Sequence, residues 1–190
     1  KVSNPFQLKS GLRMMSGNIG RAVMKISALD SKQMIIQAEA IVFEEQEDLL
    51  LAFKNNELNK DFIAVLPFQG PKQNGMPELH QLTPTLTILQ RRGFRIGLIT
   101  DGRMSGASGK IPAAIHLVPE ARDGGLISKI QTGDIILMNA ITGELNCINQ
   151  DVNNRAAKTK DNSNVFGLGR ELFFNMRTQV SSSEEGASFL

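Results

Sequence analysis

Two stretches of the chain are apolar almost without interruption, Phe62–Phe68 and Arg95–Thr100. Such runs suit strands covered on both faces. Between them, Leu79, Leu82, Leu86 and Leu89 recur at helical spacing, which predicts a helix from about Pro77 to Arg92. Pro77 suits a first turn and Gly93 a left-handed end, while Pro84 predicts either a kink or a later start. Strand, crossover helix, strand implies parallel strands with a right-handed connection. The polar, glycine-containing loops 69–75 and 101–110 then leave the carboxyl ends of adjacent strands. That edge is where open α/β sheets bind ligands.

Elsewhere the pattern predicts strands at Ala22–Ala28 and Met34–Phe43, after a mixed stretch over residues 1–17. A helix follows, with Glu44, Glu45, Glu47 and Asp48 at its start. Leu49, Leu50, Ala52 and Phe53 form its stripe, and Lys54 and Lys60 come late. Acid first and base last is the order the helix dipole favours. Gly124–Ile130, Ile135–Ala140 and Glu144–Ile148, separated by turns, read as a β-meander. Residues 151–164 read as an exposed polar linker, and Arg170–Val180 as a short amphipathic helix with Leu172, Phe173, Met176 and Val180 on one side. The last ten residues are expected to be a loose tail. Residues 1–150 are thus one domain, and 151–190 its linker, docking helix and tail.

With 190 residues, 41% hydrophobic, the chain can bury a real core, which excludes disorder as its main state. No apolar run approaches the roughly 20 residues a membrane-spanning helix needs. A net charge of +2 gives no footprint for nucleic acid, and the lack of Trp and Tyr removes base-stacking platforms. One cysteine and two histidines exclude a disulfide framework and an all-protein zinc site. No signal peptide is visible and the first residue is Lys, so the expectation is a cytoplasmic protein cut from something longer.

The familiar catalytic signatures fail. Ile111 follows Lys110 where a P-loop needs Ser or Thr, and Gly167-Leu168-Gly169 lacks the third glycine of a dinucleotide fingerprint. No nucleophile elbow is present. What remains is one loop carrying Asp101, Arg103, Ser105, Ser108 and Lys110, with Glu78 at the end of the other. Glycines there let the backbone approach a ligand and offer N–H groups to anionic oxygens. On spacing alone Asp101-Gly102 is a plain turn, and Glu78 an acid in a first helical turn. His80 and His116 read as satisfied imidazoles, Cys147 as core packing and Phe173–Phe174 as docking surface.

The segments 68–80 (FQGPKQNGMPELH) and 100–110 (TDGRMSGASGK) resemble the dihydroxy-acid dehydratase/6-phosphogluconate dehydratase family. So do 17–25 (GNIGRAVMK), Pro119-Glu120-Ala121 and Gly133-Asp134. The 6-phosphogluconate branch is the closer match, through 74–80, 107–116 and 169–173. The resemblance covers only the family's C-terminal domain, which implies a swivelling β/β/α, barrel-like α/β fold closing over an absent N-terminal domain.

It further implies dehydration of 6-phospho-D-gluconate to 2-dehydro-3-deoxy-6-phosphogluconate, the committed Entner–Doudoroff step. A 4Fe-4S or 2Fe-2S cluster, held by the N-terminal domain, and Mg2+ would serve as cofactors. Glu78 matches a magnesium ligand and Ser105 the base. Asp101, Arg103, Ser108, Lys110, Lys72 and Arg21 are the expected substrate contacts, Lys110 foremost for the phosphate. The expected partners are the sugar-acid phosphate, the N-terminal domain and a second copy in a homodimer, with no nucleic acid and no membrane. The isolated chain is expected to be inactive. Two alternatives stand beside this: a dehydratase of an unphosphorylated dihydroxy or sugar acid, and a noncatalytic anion-binding or docking domain.

Overall fold

The computed structural model describes residues 3, 11–105, 109–160, 167 and 169–189. The two apolar runs form β4 (Phe62–Leu66) and β5 (Ile96–Thr100), parallel, with Phe62 opposite Ile96 and Leu66 opposite Thr100. Their connection contains α2 (Pro71–Asn74), a 3-10 turn at His80–Leu82 and α3 (Thr83–Arg91). Of the two readings of Pro84, the later start is the correct one. Pro84 occupies the first turn of α3, where its missing N–H has no helical partner to lose.

Six further strands complete the sheet: β1 (Leu12–Gly17), β2 (Gly20–Lys25), β3 (Ile35–Val42), β6 (Ala113–Val118), β7 (Ile135–Asn139) and β8 (Glu144–Cys147). They close into a barrel in the order β1-β2-β6-β5-β4-β3-β7-β8. The barrel-like α/β class expected from the resemblance is the class observed. The seam between β8 and β1 is narrow, a parallel bridge from Ser16 to Glu144. There the backbones approach so closely that a Cβ on Gly17 would lie 2.0 Å from the Leu145 carbonyl oxygen.

Strands β4 and β5 are apolar on both faces because they divide two cores. Ile63, Val65 and Ile99 point into the barrel with Met15, Ile36 and Ile136. Phe62, Leu66, Ile96 and Leu98 point outward against Leu49 of α1 (Gln46–Lys54) and Leu82, Leu86 and Leu89 of the crossover. At about 25 cal/mol per Å2 of apolar surface, this two-sided burial makes the pair the most strongly driven part of the sheet.

Four expectations are corrected. Leu126–Ser128, inside the expected first meander strand, is a 3-10 turn held by Ser128 N–H and Oγ on the Gly125 carbonyl. It follows Gly124 in the left-handed conformation (φ 78°), which stops an extended run. The 151–160 part of the expected linker is tied down. Val152 is buried, and Arg155 grips Asp134 through Nη1 at 2.5 Å and Nη2 at 2.8 Å. The C-terminal residues expected to be loose instead form a capped 3-10 turn at Ser183–Glu185, with Glu184 paired to Arg21 at 3.0 Å. The last helix, α4 (Phe174–Gln179), is shorter than predicted. Leu172, Phe173, Phe174 and Met176 around it are exposed in this chain rather than forming one buried side. Among the described residues no helix is long and apolar enough to cross a membrane.

Candidate active site at the β4–β5 edge

Beyond the ends of β4 and β5 the two loops meet again. Glu78 and Arg103 form an isolated parallel bridge, and Leu79 N–H donates to the Arg103 carbonyl at 3.2 Å. The Glu78 carboxylate accepts the Ser105 backbone N–H on Oε1 at 2.7 Å and Arg103 Nη1 on Oε2 at 3.3 Å. Arg103 Nε also donates to the Met76 carbonyl at 2.7 Å, so its guanidinium is oriented from two sides. The rest of its five donors lie on a side chain that is 52% exposed. Glu78, Arg103 and Ser105 are therefore one cluster at the expected edge.

Asp101 underlies this cluster rather than facing a ligand. It is fully buried, and its carboxylate accepts N–H groups from Phe68 (3.2 Å), Gln69 (2.8 Å) and Ala121 (2.9 Å). Burial pushes its pKa up, and those three donors pull the other way. Its geometry corrects the expectation of a substrate contact: in this chain Asp101 is the internal tie that holds the first loop to the second. Phe68, buried with φ 64°, is kept in its strained conformation by that tie.

Of the other expected cations, Lys110 lies apart from Lys72 and Arg21. Lys72, on α2, pairs with Asp123 at 2.6 Å. Arg21 lines a hollow of about 430 Å3 with His116, Ser183 and Glu184. That hollow adjoins the cluster, because His116 N–H donates to the Gly102 carbonyl at 2.9 Å and Ser183 Oγ reaches Met76 Sδ at 3.9 Å. Lys110 lines a different hollow, with Asp30, Gln33, Gln90 and Arg91. Ser108 lies outside the described residues.

Two residues gain weight that the sequence did not give them. His116 sits beside the cluster, its pKa held down by burial and by the Arg103 charge. Glu120 is buried, and burial first, then Asp101 and Asp123, push its pKa up to about 7 against the Lys72 backbone N–H. A carboxylate flanked by apolar residues in Leu117–Ala121 was the available signal.

Each Glu78 oxygen accepts one hydrogen bond and keeps a second lone pair, which fits a single hard-cation ligand. Among the described residues no group of three or more His, Cys, Asp or Glu could hold a metal ion. Cys147, the only cysteine in the sequence, is buried with its thiol pKa raised, and does not fit a cluster ligand.

Comparison with known proteins identifies the family. The family model described as dihydroxy-acid/6-phosphogluconate dehydratase C-terminal matches residues 1–187. A phosphogluconate dehydratase of Rhizobium meliloti is 50% identical over 195 residues, covering 100% of this chain and 32% of the relative. One from Escherichia coli (strain K12) is 48% identical over 187 residues, covering 97% of this chain and 31% of the relative. A dihydroxy-acid dehydratase of Methanosphaera stadtmanae is 33% identical over 164 residues, covering 84% and 29%. The chain thus spans about a third of the length of these curated relatives. With a family model matched almost end to end, this chain belongs to the dihydroxy-acid/6-phosphogluconate dehydratase C-terminal family.

Proposed function

We propose that this chain is the C-terminal part of a hydro-lyase that dehydrates 6-phospho-D-gluconate to 2-dehydro-3-deoxy-6-phosphogluconate. The observation that carries the reading is the Glu78–Arg103–Ser105 cluster at the β4–β5 edge. The higher identity to phosphogluconate dehydratases, 50% against 33% for the dihydroxy-acid relative, supports the phosphorylated substrate. The rest of the enzyme, in particular the N-terminal domain, supplies the cluster cysteines and the remaining magnesium ligands.

In this reading Ser105, as an alkoxide, takes the C2 proton and becomes a hydroxyl. The C3–O bond breaks and its hydroxide combines with a proton to leave as water. The enol then moves its O–H proton to C3 to become the 2-keto acid. When bound, Mg2+ and the iron–sulfur cluster supply Lewis acidity to the substrate carboxylate end and to the departing hydroxyl. Glu78 holds Ser105 in place through the backbone and contributes one oxygen to the magnesium site. Arg103, positively charged and anchored on Met76 and Glu78, stabilises the serine alkoxide before the transfer and the negative charge that builds on the substrate during it. Arg21 and Lys72 are the cations placed to take the phosphate. Both sit around the Ser183–Glu185 turn, where Glu184 and Asp123 now neutralise them.

Full-length protein assayed on 6-phosphogluconate and on unphosphorylated gluconate tests the reading. Turnover strongly preferring the phosphorylated acid is expected. Equal turnover of both would favour a general sugar-acid dehydratase, and binding without turnover a noncatalytic anion-binding domain.

A further inference from the structure

We propose that Glu120 is a positioning residue for the segment that carries Glu78, acting by wedging its side chain against the Gly70–Lys72 turn from a backbone that Asp101 holds at Ala121. The proposal rests on the role given to Glu78 above.

Residues 68–72 hang on two buried acids. Asp101 takes the N–H groups of Phe68 and Gln69, and Glu120 Oε1 takes that of Lys72 at 3.2 Å. Glu120 packs so tightly on Gly70 that a Cβ there would lie 2.1 Å from Oε2. From this anchorage the chain makes α2, turns at Gly75 in the left-handed conformation (φ 70°) and arrives at Glu78. The other side of the wedge is equally fixed. The Glu120 carbonyl accepts N–H groups of Asp123 and Gly125, and Ala121 N–H is held by Asp101.

Glu120 Oε2 is buried and has no hydrogen-bond partner among the described residues. A carboxylate oxygen in that position would be an unsolvated charge facing Asp101, which is unfavourable. Its neutral form fits the space. The charged groups around it are Asp101 behind, Lys72 across, and Asp123 on its own turn, the last two paired with each other. With its pKa near 7, Glu120 binds a proton in the folded protein over a pH range where the unfolded chain has lost it. The wedge is therefore tightest at mildly acidic pH and loosens as pH rises through about 7. Above that, the ionised oxygen must find water, and the turn that aims Glu78 must give.

Full-length protein and its Glu120→Gln, Glu120→Asp and Gly70→Ala variants test this through amide exchange over residues 69–80, read relative to barrel amides at about pH 6 and about pH 8.5. The pH profile of kcat is measured alongside. In wild type, exchange over 69–80 should rise selectively at the higher pH. Glu120→Gln should hold it low at both and flatten the alkaline fall of kcat. Glu120→Asp, one methylene short of the turn, should loosen 69–80 at both and lower kcat by on the order of 10- to 100-fold with KM little changed. Gly70→Ala should do the same by expelling the wedge, and covers the case in which Glu120→Asp fails to fold. Exchange over 69–80 identical in wild type and Glu120→Gln at both pH values overturns the proposal. Exchange that follows the prediction while kcat does not move would support the wedge and count against the role of Glu78.

Discussion

Ser105 is tied to Glu78 through its backbone: the N–H donates to Glu78 Oε1 at 2.7 Å. The proposed base and the proposed metal ligand therefore move as one body. Substituting Ser105 by alanine leaves that bond in place. In full-length enzyme, Ser105→Ala should lower kcat by at least about a hundredfold, the usual cost of losing a general base, with KM nearly unchanged. A loss within tenfold would assign the proton to another group.

The separation of Arg21, Lys72 and Lys110 ranks them as phosphate ligands. Arg21 and Lys72 flank the Ser183–Glu185 turn beside the cluster, whereas Lys110 lines the hollow near Gln90 and Arg91. Arg21→Ala and Lys72→Ala should each raise KM for the phosphorylated acid by about tenfold or more, with far less effect on an unphosphorylated analogue. Lys110→Ala should leave both KM values within about threefold, well under the tenfold that 1.4 kcal/mol represents. A selective loss in Lys110→Ala alone would reverse the ranking.

Arg155 fastens the segment after the barrel through Asp134, whose carboxylate is 4% exposed. The guanidinium and the Gln131 N–H hold the Asp134 pKa below its ordinary value despite burial. Arg155→Ala leaves the Asp134 carboxylate without its cation and should lower the denaturation midpoint at neutral pH. The stabilisation is present above the unfolded carboxyl pKa of about 3.9 and is lost as pH falls through the depressed folded value. The gap between mutant and wild type should accordingly narrow in acid. A gap that is constant down to about pH 2 would exclude the ion pair as its source.

Barrel closure depends on Gly17. Its α-carbon faces the Leu145 carbonyl with no room for a methyl group, beside the Ser16–Glu144 bridge that joins β1 to β8. Gly17→Ala should destabilise the domain by on the order of 1–3 kcal/mol, as overpacking does. Amide exchange should increase first along the β1–β8 seam. Protection of that seam equal to wild type would mean the strands shift to absorb the methyl at little cost.

Sequence alone determined the heart of this domain and the address of its site. A run buried on both faces and a leucine row at helical spacing are local signals, and they suffice for β4, α3, β5 and the loops beyond them. The long motifs around Glu78 and Ser105 suggested the chemistry proposed for them. Tertiary structure decided what local pattern cannot carry. β1 escaped because its exposed Leu12 and Met14 sit on the outer face and its identity comes from pairing with β2. β6 escaped because Ala113–Val118 becomes a strand by hydrogen-bonding to β5 and β2, far away in sequence. The expected strand over 124–130 failed because backbone contacts of Gly124 and Gly125 impose a turn that apolar composition does not reveal. Asp101 reads as a ligand contact in its loop, yet its partners Phe68, Gln69 and Ala121 come from other segments and draw it inside. Periodicity records which faces meet apolar surroundings. Which donor answers a buried carboxylate, and which cation stands near a site, depends on chain segments brought together only when the barrel closes.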